Sequence, residues 1–382
     1  MSAWYEVENI AEVATPALLL YPARIRENLQ HMVARAGEVS RLRPHVKTHK
    51  LPQIVQMKRD LGIDKFKTAT LVETLMVAQA GGRDILWAYQ PVGPNIVKFV
   101  ELVQQFPAVR LATLLDDLAI GEQLTAAAKH AGVTVSVYLD LNVGMNRSGI
   151  VPGAGAVQLY RQLAALPNLQ LVGLHAYDGH VRAADMAQRR EQWQVVVDQT
   201  LEMVQSLVRS GVPKPRIVAG GSSTSWLWLE VPEVEVGAGT MALWDFGQTQ
   251  TCPESDMIHA AVLAARVISR PQPDLLCLDL GHKAVAAEMP QPRVHWFGLE
   301  DAQPVLQSEE HLVLRTARAT AFPVGHICYG LPYHICPTTA LYDEVWRIEN
   351  ARAIGRWPVV ARGRQLPVQV HWSESDTKRQ KS

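Results

Sequence analysis

From about residue 15 to residue 245, short apolar runs alternate with longer amphipathic stretches, and that alternation restricts the chain to a parallel sheet with crossover helices. The runs are PALLLYP (16–22), RLRPHVKT (41–48), KFKTAT (65–70), DILWAY (84–89), VRLATLLD (109–116), TVSVYLDL (134–141), LVGLHAY (171–177) and RIVAGG (216–221). Helical patterns such as ARIRENLQHMVARAG (23–37) and QTLEMVQSLVRSG (199–211) lie between them. Eight such units in about 230 residues match the usual size of a closed barrel. The expected fold class is therefore α/β, with an eight-stranded parallel (β/α) barrel over residues 12–248. Beyond residue 250 the pattern changes to valine- and leucine-rich runs separated by turns, which reads as a mainly antiparallel β domain over 249–370, joined by residues 1–11. The polar segment 371–382 is expected to be disordered.

Charge and cysteine content narrow the partners. Lys plus Arg and Asp plus Glu both total 37, so no global field favours nucleic acid or an anionic membrane. The four cysteines, Cys252, Cys277, Cys328 and Cys336, lack CxxC pairing, which argues against a disulfide framework or a zinc finger and for a reducing, cytoplasmic setting. There is no run of some twenty apolar residues and no basic-then-apolar start, so neither membrane spanning nor secretion is expected. A small molecule is the expected partner.

Several constellations carry chemistry. In RPHVKTHK (43–50), side chains alternate at a period of two, so Lys47 shares a face with Arg43 and His45. A lysine beside another cation, or in a desolvated pocket, loses its proton more readily and attacks an aldehyde; the same run also reads as a basic patch at a strand end. AGGSSTS (219–225) and VGAGT (236–240) are glycine turns with hydroxyl donors, suited to a phosphate or serving as ordinary turns. GMNRSGI (144–150) offers Arg147 as a fork for an anionic oxygen or as a partner of a nearby carboxylate. In GLHAYDGH (173–180), Tyr177 is placed to lie against a flat heterocycle or to pack, and His175 and His180 flank it as base or structural histidines. His334 and Cys336, in LPYHICPTTALYDEV (331–345), would point to one face of an extended segment about 7 Å apart. They form an incidental strand pair or two ligands of one ion, the thiolate favouring zinc over manganese or magnesium.

In this order, TPALLLYPARIRENLQ, RLRPHVKTHK, KFKTAT, DLNVGMNRSGI, GLHAYDGH, RIVAGGSSTS, VEVGAGT, LDLGHKAV and YHICPT resemble the D-threonine aldolase and D-serine dehydratase family of pyridoxal-phosphate enzymes, over roughly residues 12 to 365. The resemblance implies an alanine-racemase-like fold, a barrel followed by a β domain, acting as a homodimer. It implies that Lys47 carries the cofactor, that Arg147 contacts its ring oxygen and that Tyr177 stacks on its ring. Gly220, Gly221, Ser222, Gly239 and Thr240 would hold its phosphate, and His334 with Cys336 a divalent metal. The catalytic candidates are Lys47, His175 and His180.

The implied activity is metal-assisted cleavage of a D-3-hydroxy amino acid to glycine and an aldehyde. The alternative is dehydration of D-serine or D-3-hydroxyaspartate to a keto acid and ammonia. Cys336, where many aldolase members of the family carry an acid, leans towards dehydration; KFKTAT, AYQPVGPN and YHICPT lean towards the aldolase branch, which is the reading adopted. A racemase has no use for a metal at a β-hydroxyl, and the HxC-bearing second domain argues against a non-catalytic cofactor carrier. A sugar-phosphate barrel enzyme, with Lys47 incidental, is the remaining class.

Overall fold

Proline and short polar residues set where the crossover helices begin. Pro22, Pro52 and Pro94 each open a helix, where a missing N–H costs nothing. Thr70, Asp117, Asp185 and Asp245 each accept a backbone N–H of the helix they precede. A computed structural model describes residues 3–367. In chain order its first part comprises β1 (Ala17–Leu20), α1 (Pro22–Ala36), α2 (Pro52–Asp60), β2 (Lys65–Thr68), α3 (Leu71–Gln79), β3 (Asp84–Trp87), α4 (Pro94–Gln105), β4 (Arg110–Leu115), α5 (Leu118–Ala131), β5 (Val135–Leu141), α6 (Ala154–Ala164), β6 (Leu169–Ala176), α7 (Met186–Arg209), β7 (Arg216–Ala219), α8 (Ser225–Trp228) and β8 (Val234–Val236). There follow α9 (Phe246–Thr251), β9 (Ala261–Ser269), β10 (Leu275–Leu278), β11 (Val294–Trp296), β12 (Gln303–Gln307), β13 (Leu312–Arg315), β14 (Ile327–Pro332), α10 (Ile335–Thr339), β15 (Glu344–Glu349) and β16 (Arg352–Pro358).

Strands β2 to β8 form a parallel sheet in simple sequential order. All seven residues of β5 are buried, as expected for a strand covered on both faces. The sheet has seven regular strands where eight were expected. Between its two edges runs the segment Leu42–Val46, too irregular to count as a strand. It makes single parallel bridges to β8 through Leu42 and Val236 and to β2 through His45 and Lys67. Backbone bonds from Arg43 N to Val236 O (3.0 Å) and from Val46 N to Lys67 O (2.9 Å) seal the two sides.

The other correction concerns β1. PALLLYP was expected to be the first barrel strand, yet β1 lies in the second sheet, antiparallel to β9 and parallel to β15. That nine-stranded sheet runs β12-β13-β10-β9-β1-β15-β16, with β14 pairing both β9 and β11. The β1–β15 pair is its only parallel one among the described residues. Residues ahead of β1 pack there too: Tyr5 stacks on Phe297 with ring centroids 3.9 Å apart, and Arg266 donates to the carbonyls of Ile10 and Val13. The segment 371–382 lies outside the described residues.

A charged cluster closes the barrel beneath the bridging segment. Arg43 is fully buried, with Nη1 2.7 Å from Asp84 of β3 and Nε 2.6 Å from Glu235 of β8. Burial alone would pull its proton affinity down, but Glu235 and Asp84 together hold it above the ordinary arginine value.

A second buried cation has no carboxylate partner. Lys58 of α2 is fully buried, with Nζ 3.0 Å from His49 Nε2. His49 Nδ1 accepts the Leu51 N–H, so Nε2 carries the ring proton and donates to a neutral Lys58 amine. Burial pushes the Lys58 ammonium down to about 7. The unfolded chain therefore binds this proton between pH 7 and about 10 while the folded chain does not, and stability rises with pH across that window. In Lys58→Met, urea unfolding should lose up to about 1 kcal/mol per pH unit of that rise; an unchanged slope between pH 7 and about 10 would contradict the neutral amine.

Candidate active site

Arg43, His45 and Lys47 climb the inner wall of the barrel at two-residue steps, and Lys47 arrives at the mouth where the parallel strands end. His45 Nδ1 accepts the Lys47 N–H at 3.2 Å. Burial, then the charges of Lys47 and Lys67, hold the His45 imidazole neutral, well below the usual histidine range. Two cavities meet at this level. The smaller, about 330 Å³, is lined by Gly221, Ser222, Gly239 and Thr240, and the larger, about 830 Å³, by Lys67, Asp140, Arg147 and His175. His45, Lys47, Tyr177, His334 and Cys336 line both and form the shared wall.

The two glycine turns are tied together by the Thr240 N–H donating to Ser222 Oγ at 3.2 Å. A Cβ at Gly239 would come within 3.0 Å of both His45 and Thr48, so side-chain-free backbone is what keeps the small chamber open. Gly220 does not line it. Its φ of +82° makes the turn, and a Cβ there would meet Trp228 at 2.8 Å. The brace of this turn is Asp178, which the sequence reading passed over. Its Oδ1 accepts from Gly221 N (3.0 Å) and Thr224 Oγ1 (2.9 Å), and its Oδ2 from Trp228 Nε1 (2.8 Å). Trp228 is thus a buried strut and Trp226 packs on Arg35, and neither tryptophan lines either cavity.

Tyr177 is ringed by cations: Arg147 Cζ lies 4.7 Å, Lys67 Nζ 5.4 Å and Lys47 Nζ 5.8 Å from the ring centroid. The ring rests on Gly179, where a Cβ would approach it to 2.5 Å. Below, Asp140 Oδ1 sits 2.7 Å from His175 Nδ1, and Lys67 Nζ 3.2 Å from His175 Nε2. His175 is therefore engaged on both nitrogens. His180 is exposed and stands beside Gly144, away from both cavity walls. Lys67 is the second residue the sequence reading missed.

His334 and Cys336 are not in an extended segment. His334 occupies the N-cap position of α10 without a side-chain capping bond, and Cys336 lies in the first turn, where Pro337 is tolerated. The two side chains are close enough to shift each other's proton affinity. His334 Nδ1 also lies 2.5 Å from Glu288 Oε1, which orients the ring as carboxylates orient metal-binding histidines. Burial lowers the imidazole's proton affinity, but the Cys336 contact and charge outweigh it and raise His334 to about 9. Conversely the Cys336 thiol, pushed up by burial, is brought below its ordinary value by His334 and Lys47. Cys336 Sγ lies 3.2 Å from Thr48 Oγ1, so the second domain touches the Lys47 segment directly. No group of three or more His, Cys, Asp or Glu able to hold a metal occurs among the described residues. His334 and Cys336 would supply an ion with two protein ligands, one fewer than the three of the usual catalytic zinc centre.

The same side chains fit pyridoxal phosphate: an amine at the shared wall, an aromatic face beside it and a hydroxyl-rich turn cradle at one end. The chain belongs to the alanine racemase N-terminal domain family, whose profile matches residues 21–243, and a serine dehydratase domain profile matches residues 260–348. It is 29% identical to a D-threonine aldolase of Arthrobacter sp over 93% of this chain and 94% of that one. The crystal structure of a D-threonine aldolase from Filomicrobium marinum superposes with a TM-score of 0.84 at 28% identity, covering 93% of this chain and 97% of that one. A D-threo-3-hydroxyaspartate dehydratase of Delftia sp. (strain HT23) is 23% identical over 92% of this chain and 98% of that one.

Replacing Asp178 by Ala would leave the Thr224 hydroxyl and the Trp228 indole N–H without their acceptor. Such orphaned donors cost enough to loosen the turn, and Asp178→Ala should weaken pyridoxal-phosphate affinity about tenfold or more. Fluorescence titration of the apo protein checks this; unchanged affinity would show that the turn does not need its brace.

Proposed function

We propose that this protein is a pyridoxal-phosphate-dependent, metal-assisted lyase that cleaves D-3-hydroxy amino acids of the D-threonine type to glycine and an aldehyde. The observation that supports this best is that Lys47, Tyr177, His334 and Cys336 share one wall between two chambers. The aldolase relatives over nearly the full chain support it as well.

In this reading Lys47 bonds the cofactor, and Ser222, Gly239 and Thr240 receive its phosphate in the small chamber. Tyr177 backs the ring and Arg147 faces its ring oxygen. The cofactor supplies an electron sink for bond breaking at the substrate's Cα. The metal, held by His334 and Cys336, supplies Lewis acidity at the substrate's β-oxygen. The large chamber then receives the substrate side chain, with Arg147 providing positive charge near the substrate's carboxylate. His175, held between Asp140 and Lys67, orients the amine of Lys67 in preference to meeting substrate itself. A homodimer in the cytoplasm, with zinc as the preferred metal, completes the reading.

Dehydration is the second reading, and one observation favours it: the soft Cys336 sulfur on the Lys47 wall, its thiol held below the ordinary value by His334 and Lys47. Incubation with D-threonine separates the two. Glycine with acetaldehyde is the expected product pair, whereas 2-oxobutyrate with ammonia would give the dehydratase reading precedence. Chelation should abolish turnover while leaving the visible absorption of the bound cofactor in place; turnover that survives metal depletion would remove His334 and Cys336 from the reaction. Lys47→Ala should lose the borohydride-trapped cofactor, and trapping that persists at another residue would move the covalent attachment away from Lys47.

A further inference from the structure

The buried amine of Lys67 has no assigned task. It leaves β2, crosses the lumen and ends against His175 of β6 on the far side. Room for it is made by Gly237, where a Cβ would lie 2.7 Å from Nζ. Charged and titratable groups face it from every side: His45 and Lys47 from the bridging segment, Asp140 from β5, Arg147 from the loop after β5, and His175, Tyr177 and Asp178 from β6 and its end.

The hydrogen bonds fix how a proton is shared. Burial raises the Asp140 carboxyl's affinity for its proton, but bonds from His175 and Ser148 outweigh this and keep it ionised. A carboxylate only accepts, so His175 carries its proton on Nδ1 and presents a lone pair on Nε2. Lys67 therefore donates to Nε2, and one proton moves between Nζ and Nε2 without any net change in charge. The imidazolium formed by that move would be stabilised by Asp140 on its other side.

We propose that Lys67, spanned across the barrel to His175 and Asp140, is a positioning residue whose shared proton places a positive charge under the cofactor and so sets the cofactor's own protonation. The inference rests on the proposed attachment of pyridoxal phosphate to Lys47. Burial, and after it the charge of Lys47, push the Lys67 ammonium down to about 7 in the free protein. Binding an anionic cofactor at Lys47 removes the second of these causes and so raises the proton affinity of Lys67.

The test is a pH titration of the visible absorption of the holoenzyme. Removing the cation in Lys67→Met should raise the midpoint by about one pH unit or more, and Lys67→Arg should bring it back to within about 0.3 unit of the native value. Lys67→Gln, closer in size and polarity, should shift it in the same direction as Met and guards against misfolding of the Met variant. Midpoints within about 0.3 unit of native in both Met and Gln variants, or an Arg variant no closer to native than Met, would overturn the proposal. Borohydride reduction followed by peptide mapping of the native protein keeps the two readings apart. Failure to find the adduct on Lys47 sinks the proposed attachment itself, whereas an adduct on Lys47 with immobile midpoints sinks only the role of Lys67.

Discussion

One guanidinium sets the level of everything above it in the barrel. The Leu42–Val46 segment closes the wall with few backbone bonds, so its height is fixed chiefly by Arg43, clamped to Asp84 on one side and Glu235 on the other. Removing one partner from such a buried set costs on the order of 3–5 kcal/mol because the remaining charges stay stranded. From that clamp the chain counts upward in steps of two to His45 and Lys47, and one residue later Thr48 meets Cys336 of the second domain. Barrel closure, lysine placement and domain contact are thus three results of a single register.

The mouth concentrates positive charge to an unusual degree. Arg147, Lys67 and Lys47 all lie within 6 Å of the Tyr177 ring centroid. The negative face of an aromatic ring offsets part of their repulsion. An anionic ligand would relieve the rest, so the free protein is electrostatically poised for one. Cys336 stands on the same wall, where His334 and then Lys47 bring its thiol below the ordinary value.

Much of this was legible from residue patterns, and the failures have physical reasons. β2 to β7 fell where apolar runs predicted, and the period of two correctly put Arg43, His45 and Lys47 on one face. PALLLYP was misassigned because a short, fully buried run carries no sign of which sheet it joins; its neighbours β9 and β15 lie far along the chain. Val234–Val236 was too short to stand out, and it occupies the place in the barrel that β1 does not. The alternation in KFKT does not say which face of the strand meets the lumen, and near the mouth of the barrel the inward residue Lys67 is polar. Asp178 and Glu288 act on partners 43 to 50 and 46 residues away, a coupling no local pattern encodes. The HxC spacing fits an extended segment as well as a helix start, and no capping side chain marks the beginning of α10.

The position of β1 has a consequence for how the protein is made. Its four apolar residues leave the ribosome well ahead of β9, which flanks them and begins only at Ala261. At about 5–20 residues per second, translation leaves this strand waiting on the order of tens of seconds for its neighbour. Throughout that interval a greasy, hydrogen-bond-hungry ribbon hangs from a nascent barrel that is already taking shape, and shielding it falls to chaperones or to transient contacts until the C-terminal third emerges.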